Sequence, residues 1–115
     1  MTHFLNLHPE PFSHIADGTK TIELRLLDEK RQKIAVGDTL IFTNTADPAL
    51  QLRCVVKKLH CFPNFAALYA ALPLEQCGYL PEELATARPE DMEEYYSPEK
   101  QKRCGVVGIE IDLTG

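Results

Sequence analysis

The sequence predicts an α+β fold, a small, mixed and highly curved sheet or barrel of about five or six strands with helices at its ends. Strand-spaced apolar runs recur at both ends of the chain and in its middle. A proline-opened helix follows the first run, and a helical stretch broken by further prolines and glycine precedes the last. At 115 residues the chain has room for one domain, residues 1–115, with a full core of its own.

Phe4 to His8 reads as the first strand. Pro9 and Pro11 then open a helix, since a proline in the first turn costs no hydrogen bond. Phe12, Ile15 and Ala16 give that helix one apolar side, and Gly18 ends it. Residues 20–26 form the second strand, and Leu27 to Lys33 a charged connection with room for one helical turn. Val36-Gly37-Asp38 is a turn that launches a strand from Thr39 to Thr43. Asn44 to Pro48 reads as a hairpin loop, and Leu50 to Leu59 returns as a long strand.

From Pro63 the period becomes helical, with Phe65, Leu68, Tyr69 and Leu72 on one face. Pro73, Gly78, Pro81 and Pro89 divide the next stretch into short helical pieces. Ser97 is a good N-cap with Pro98 in the first turn, so a last helix runs to Arg103. Gly105 to Leu113 is the closing strand, whose alternation sends Val107, Ile109, Ile111 and Leu113 inward and Glu110 and Asp112 outward.

A net charge of −5 argues against a generic nucleic-acid binder, which is usually basic. The acids are concentrated in residues 80–99, where Glu82, Glu83, Glu90, Asp91, Glu93, Glu94 and Glu99 face Arg88 alone. That segment is a candidate surface for a protein partner, or a solvated acidic face. Lys20, Arg25, Lys30, Arg31, Lys33, Arg53, Lys57 and Lys58 all lie in the first half, compatible with a locally positive face. No apolar run approaches a membrane span and no basic-then-apolar leader opens the chain, so the expected setting is cytoplasmic, away from membranes. Cys54, Cys61, Cys77 and Cys104 lack C-x-x-C spacing and read as reduced and mostly buried. Neither a metal nor another cofactor is expected; Gly-rich phosphate loops, G-x-S-x-G and H-E-x-x-H are absent.

The densest chemistry lies in Gly18-Thr19-Lys20-Thr21-Ile22-Glu23-Leu24-Arg25. Strand alternation sends Glu23 and Arg25 out together, opposite Ile22 and Leu24, and the expectation is that theirs is the non-core face. Lys20 reads either as a base, nucleophile or oxyanion partner, or as a solvated lysine suiting a helix C-terminus. Glu23 and Arg25 read either as cross-strand charge partners closing a barrel seam, or as a bidentate anion grip with its orienting acid. Tyr95 and Tyr96 are candidates for stacking on a base, against half-buried packing. Asn44 is a candidate for reading a base edge, against turn formation, and Glu110 a candidate cleft carboxylate, against an exposed sheet face.

The run Gly18-x-Lys20-x-x-Glu23-x-Arg25 is similar to the hallmark motif of the ASCH domain, in the PUA-like superfamily. The resemblance extends to Pro9-Glu10-Pro11-Phe12, Glu29-Lys30-Arg31, Val36-Gly37-Asp38, Ile41-Phe42-Thr43-Asn44, Asp91-Met92, Tyr95-Tyr96-Ser97 and Gly105 to Ile111, nearly the whole chain. It implies a curved PUA-like barrel with flanking helices, and a cleft beside the motif that recognises RNA or a modified nucleoside or nucleotide. Lys20, Glu23 and Arg25 would line that cleft. Some small ASCH proteins resemble amidohydrolases acting on N4-acetylcytidine, with G-x-K-x-x-T and a threonine nucleophile; others look like ribonucleases. Here Glu23 stands at the threonine position, and Thr19 and Thr21 are out of register with it. A carboxylate does not replace a hydroxyl in that acyl transfer. The resemblance therefore implies a binding module first, and alternatively a small hydrolase with Lys20 and Glu23 as its catalytic pair.

Overall fold

The computed structural model describes residues 1–114, whose regular elements run β1 (Thr2–Leu7), α1 (Pro9–Ala16), β2 (Ile22–Leu26), β3 (Thr39–Asn44), β4 (Gln51–Phe62), α2 (Phe65–Ala71), α3 (Pro98–Cys104) and β5 (Val106–Leu113). Short 3-10 helices occupy Arg31–Lys33, Leu74–Cys77, Pro81–Glu83 and Pro89–Glu94. The fold is therefore α+β, with every expected element present and five strands.

All five strands join one sheet in the order β1-β3-β4-β5-β2. β1 runs parallel to β3, and the remaining neighbours are antiparallel. The long β4 carries the curvature. Its register against β5 slips between Val56 and Lys58, and such a bulge bends the bulged strand. The sheet curls into a half-barrel whose two edge strands, β1 and β2, share no main-chain ladder.

Local chemistry sets the helices as expected. Pro9 and Pro11 stand in the first turn of α1, which buries Phe12 and Ile15, whereas Ala16 stays exposed. Ser97 Oγ accepts from Lys100 N at 3.3 Å to cap α3. α2 has a cap of its own, Asn64 Oδ1 accepting from Ala67 N at 2.9 Å.

Both faces of the sheet are covered, and this changes one expectation. Leu5, Leu7, Phe12, Leu40, Phe42, Val56, Val107 and Ile109 form the core within the curl. Ile22, Leu24, Leu26, Phe65, Leu68 and Val106 form a second core on the other side, under α2. Glu23 is paired with Ile109 and Arg25 with Val107, so these two charged residues project from the face of the first core. They do share a face, but it is a covered one. Leu113 also departs from its expected inward place: at the far end of β5 it is exposed. Gly108 is the close-approach point of the second layer, since a Cβ there would lie 2.7 Å from Leu72 Cδ1.

Of the cysteines, Cys54 and Cys77 are buried and Cys104 half-buried, but Cys61 is exposed. Cys61, near the end of β4, is the one exposed member of a set expected to be mostly buried. Among the described residues no helix is long and apolar enough to cross a membrane.

Candidate functional site

The turn after α1 delivers Lys20 to the start of β2, and β2 places Glu23 and Arg25 two residues apart on one face. The three side chains meet. Lys20 Nζ lies 3.3 Å from Glu23 Oε1, and Arg25 Nε donates to Glu23 Oε2 at 2.7 Å. Lys20 Nζ also donates to the carbonyl of Cys77 at 2.6 Å, and Arg25 Nη2 to that of Asn6 at 2.7 Å. Lys20 and Glu23 are 7% and 4% exposed, burial that charged residues tolerate only when paired. The set is cation, carboxylate, cation, with one positive charge in excess.

Burial by itself would push the Glu23 carboxyl up, but Lys20 and Arg25 on either side hold it below the usual carboxylate range. Burial would likewise lower Arg25, and the Glu23 carboxylate reverses that and raises it. Glu23 is thus a carboxylate with both oxygens engaged. Lys20 is an amine tied to an acid and a carbonyl. Such a set donates hydrogen bonds and presents positive charge without a free base.

Lys20, Glu23 and Arg25 border a cavity of about 410 Å3. Its rim is made by Asn6 and His8 at the end of β1 and by His14 of α1. The rest of its lining comes from Tyr69 of α2, the Cys77-Gly78-Tyr79 turn, Met92, Tyr95 and Tyr96. Gly78 has a φ of +109°, and a Cβ there would lie 3.2 Å from Lys20 Nζ, so glycine lets the chain pass over the amine.

The predicted residues divide between this cavity and other places. Lys20, Glu23, Arg25, Tyr95 and Tyr96 line it; Asn44 and Glu110 do not. Asn44 Oδ1 accepts from Ala46 N at 2.9 Å and Asp47 N at 3.2 Å, holding the β3–β4 loop in the manner of an Asx turn. Glu110 is paired with Ile22, on the opposite face from Glu23, and lies 3.1 Å from His60 Nε2. The two tyrosines also differ. Tyr96 is half-buried and stacks on Phe65 at 5.9 Å between ring centroids, whereas Tyr95 is 58% exposed at the mouth. Burial raises the Tyr96 hydroxyl above its ordinary value, although Arg25 draws it down. Neither Thr19 nor Thr21 borders the cavity; Thr19 Oγ1 donates to Asp17 Oδ1 at 2.7 Å.

Several contributors were not apparent from the sequence. Tyr69 OH and Tyr79 OH are 2.6 Å apart, and Tyr79 OH donates to Asp91 Oδ2 at 2.9 Å. Burial raises both phenols, so both rings stay neutral. Gln101 is buried, accepting from Phe65 N at 3.2 Å and donating to the Tyr96 carbonyl at 3.1 Å. It thereby fixes the ring wall to the start of α2. Asp91 and Glu83 give the acidic segment a structural part as well, since they accept from the backbone N–H groups of Arg88 and Leu80. Their spacing, an acid three residues after a turn start, is the one signal that would have found them.

Fold and site together define a PUA-like domain: a curled five-strand sheet with flanking helices and a polar cavity against one edge strand. The chain belongs to the ASCH domain family, whose profile matches residues 5–115. It is similar to the crystal structure of hypothetical protein PH0355, with 30% identity, a TM-score of 0.81, and 99% of this chain and 100% of that one covered. It is also similar to the solution structure of protein PF0455 from Pyrococcus furiosus, with 31% identity, a TM-score of 0.72, and 98% and 97% covered. The crystal structure of ASCH from Zymomonas mobilis shares the fold at 14% identity and a TM-score of 0.65, with 96% of this chain and 66% of that one covered. None of the curated proteins matches the chain.

Proposed function

We propose that this protein binds RNA or a nucleotide-like ligand in the cavity floored by Lys20, Glu23 and Arg25. The observation that carries the reading is a buried, net-positive set of charges opening into a tyrosine-lined cavity of about 410 Å3. That volume suits a nucleoside-sized group. Positive charge answers a phosphate or a base carbonyl, and Tyr95 at the mouth offers a ring on which a base stacks. Membership of the ASCH family adds to this reading. Hydrolysis by Lys20 and Glu23 has less support, because the polar atoms that would activate water are already engaged with each other.

The test is titration with short single-stranded RNA and with ribonucleosides and their monophosphates, followed by calorimetry or NMR. Affinity for the charged ligands falls as salt rises. Lys20→Ala and Arg25→Ala each weaken binding by on the order of tenfold or more, as loss of a charged hydrogen bond does. Binding that is unchanged in both variants, with folding verified by thermal melts, overturns the proposal.

A further inference from the structure

The cavity has two polar walls of opposite hydrogen-bonding character, and the second is set by Asp91. The Asp91 carboxylate has no hydrogen to give, and its Oδ2 already accepts from Arg88 N at 3.1 Å. The 2.9 Å contact between Tyr79 OH and Asp91 Oδ2 therefore uses the Tyr79 proton. With that proton spent, the 2.6 Å contact between Tyr69 OH and Tyr79 OH must be filled by the proton of Tyr69. Direction thus passes along the chain from Tyr69 to Tyr79 to Asp91. Both phenol oxygens are left with lone pairs alone.

Both tyrosines line the cavity with Lys20 and Arg25, whose chemistry is donation, and Tyr79 follows directly on the Cys77-Gly78 turn that Lys20 touches. We propose that the Tyr69–Tyr79–Asp91 chain is a specificity element that accepts a hydrogen bond from the ligand and so selects a base-like ring bearing an N–H donor. The inference rests on the ligand-binding reading above and narrows it. A phosphate has no place at this wall, where two neutral oxygens would face its own. A ring carrying an N–H beside a carbonyl satisfies both walls, giving its hydrogen to the phenols and its oxygen to Lys20 or Arg25. Tyr79 and Asp91 act here as positioning residues through Tyr69, and Tyr79 also as a direct acceptor.

The experiment compares ligand pairs that differ in one N–H: ribonucleosides with their base N-methylated counterparts, and 2-pyridone with N-methyl-2-pyridone as minimal probes. Affinities come from NMR titration of the wild type, Tyr79→Phe and Asp91→Ala, with a thermal melt of each. The expected result is a preference of about tenfold for the N–H member in the wild type, the cost of leaving buried acceptors unpaired. In Asp91→Ala and Tyr79→Phe the freed hydroxyl proton turns into the cavity, and the preference falls to within about threefold. Equal affinity for both members in the wild type overturns the inference. So does a preference that survives both substitutions. If nucleosides and RNA do not bind at all, the nucleic-acid reading fails. The pyridone pair then decides the polarity of the wall by itself, an N–H preference lost in the variants supporting it and no preference overturning it.

Discussion

Arg25 Nη2 donates to the backbone carbonyl of Asn6 at 2.7 Å, and through that bond β2 holds β1 at the open side of the half-barrel. These are the two strands without a shared ladder, so one side chain does at this seam what main-chain pairing does elsewhere. The same guanidinium holds Glu23 through Nε. The seam-closing charge pair read from the sequence is thus met by one planar fork, which pairs with Glu23 on its own strand and closes the seam through a backbone carbonyl.

A lysine at position 25 keeps the charge but lacks the fork, so it cannot serve Glu23 and Asn6 together. Arg25→Lys is expected to cost about 2 kcal/mol, and Arg25→Ala about 3–5 kcal/mol because it leaves the buried Glu23 short of a partner. Urea unfolding checks this, with the loss appearing in the midpoint and the slope unchanged. A lysine variant as stable as the wild type would show that the seam is held by other contacts.

Gly78 meets Lys20 at a range that is tight for an alanine, so the amine would have to give by a few tenths of an ångström. Its φ of +109° is strained for any side chain, and its Cβ would stand 3.2 Å from Nζ. Gly78→Ala is expected to lower Tm by about 5–10 °C. Gly37→Ala is the control, since Gly37 has a φ of +93° and open space around its Cβ position. It carries the backbone strain without disturbing the amine. Ligand affinity should therefore drop in the Gly78 variant alone, as measured by the same titration.

How far the site was legible depends on the range of the interactions involved. Alternation along residues 22–26 is local, and it correctly put Glu23 and Arg25 on one face. Which face is covered depends on how the sheet curls and on Ile109 and Val107, more than 80 residues away in the chain, and no local pattern reports that. Glu110 is a polar residue in a strand, like Glu23, and only the pairing register puts it on the other face; Asn44 is kept from the cavity by its own bonds to the β3–β4 turn. The Tyr69–Tyr79–Asp91 chain depends on the path of consecutive 3-10 turns, where prolines mark breaks but not directions. The Ser97 cap and the broad helix periods were readable because their causes lie within four residues.

Asp38 gives the fold an acid limit. His3 Nε2 lies 2.8 Å from its Oδ2, Ala35 N donates at 3.0 Å and the Met1 amino group at 3.2 Å. The His3 hydrogen bond first, then the Ala35 N–H and the terminal amine, bring the carboxyl down to about 2. An unfolded aspartate titrates near about 3.9, so the folded value is depressed. The stabilisation is complete above about pH 4 and lost as pH falls toward the folded value. Asp38→Asn removes it. The Tm gap between wild type and this variant should be constant from pH 7 to about 5 and close as pH drops through about 4 to 2. Glu23 contributes acid sensitivity of the same sign to both proteins, so the difference between them isolates Asp38. A gap that stays constant down to pH 2 would show that Asp38 is not the titrating group.

The buried set itself can be asked whether it is kept for stability or for binding. Removing one member strands a buried charge, so Glu23→Leu alone is expected to cost about 3–5 kcal/mol, with Lys20 and Arg25 left facing each other. Replacing all three, as Lys20→Met, Glu23→Leu and Arg25→Met together, removes every charge and fills the same volume with apolar groups. Swaps of that kind are often neutral or stabilising, less about 1 kcal/mol here for each of the lost hydrogen bonds to Asn6 and Cys77. The triple variant should therefore unfold in urea close to the wild type, well above the single variant, while losing affinity for RNA and nucleotides. That split would assign the ion set to recognition, its desolvation being a cost the fold carries without structural need. A triple variant as unstable as Glu23→Leu would assign it instead to holding the half-barrel closed, and the binding role would then have to be argued from the tyrosine wall alone.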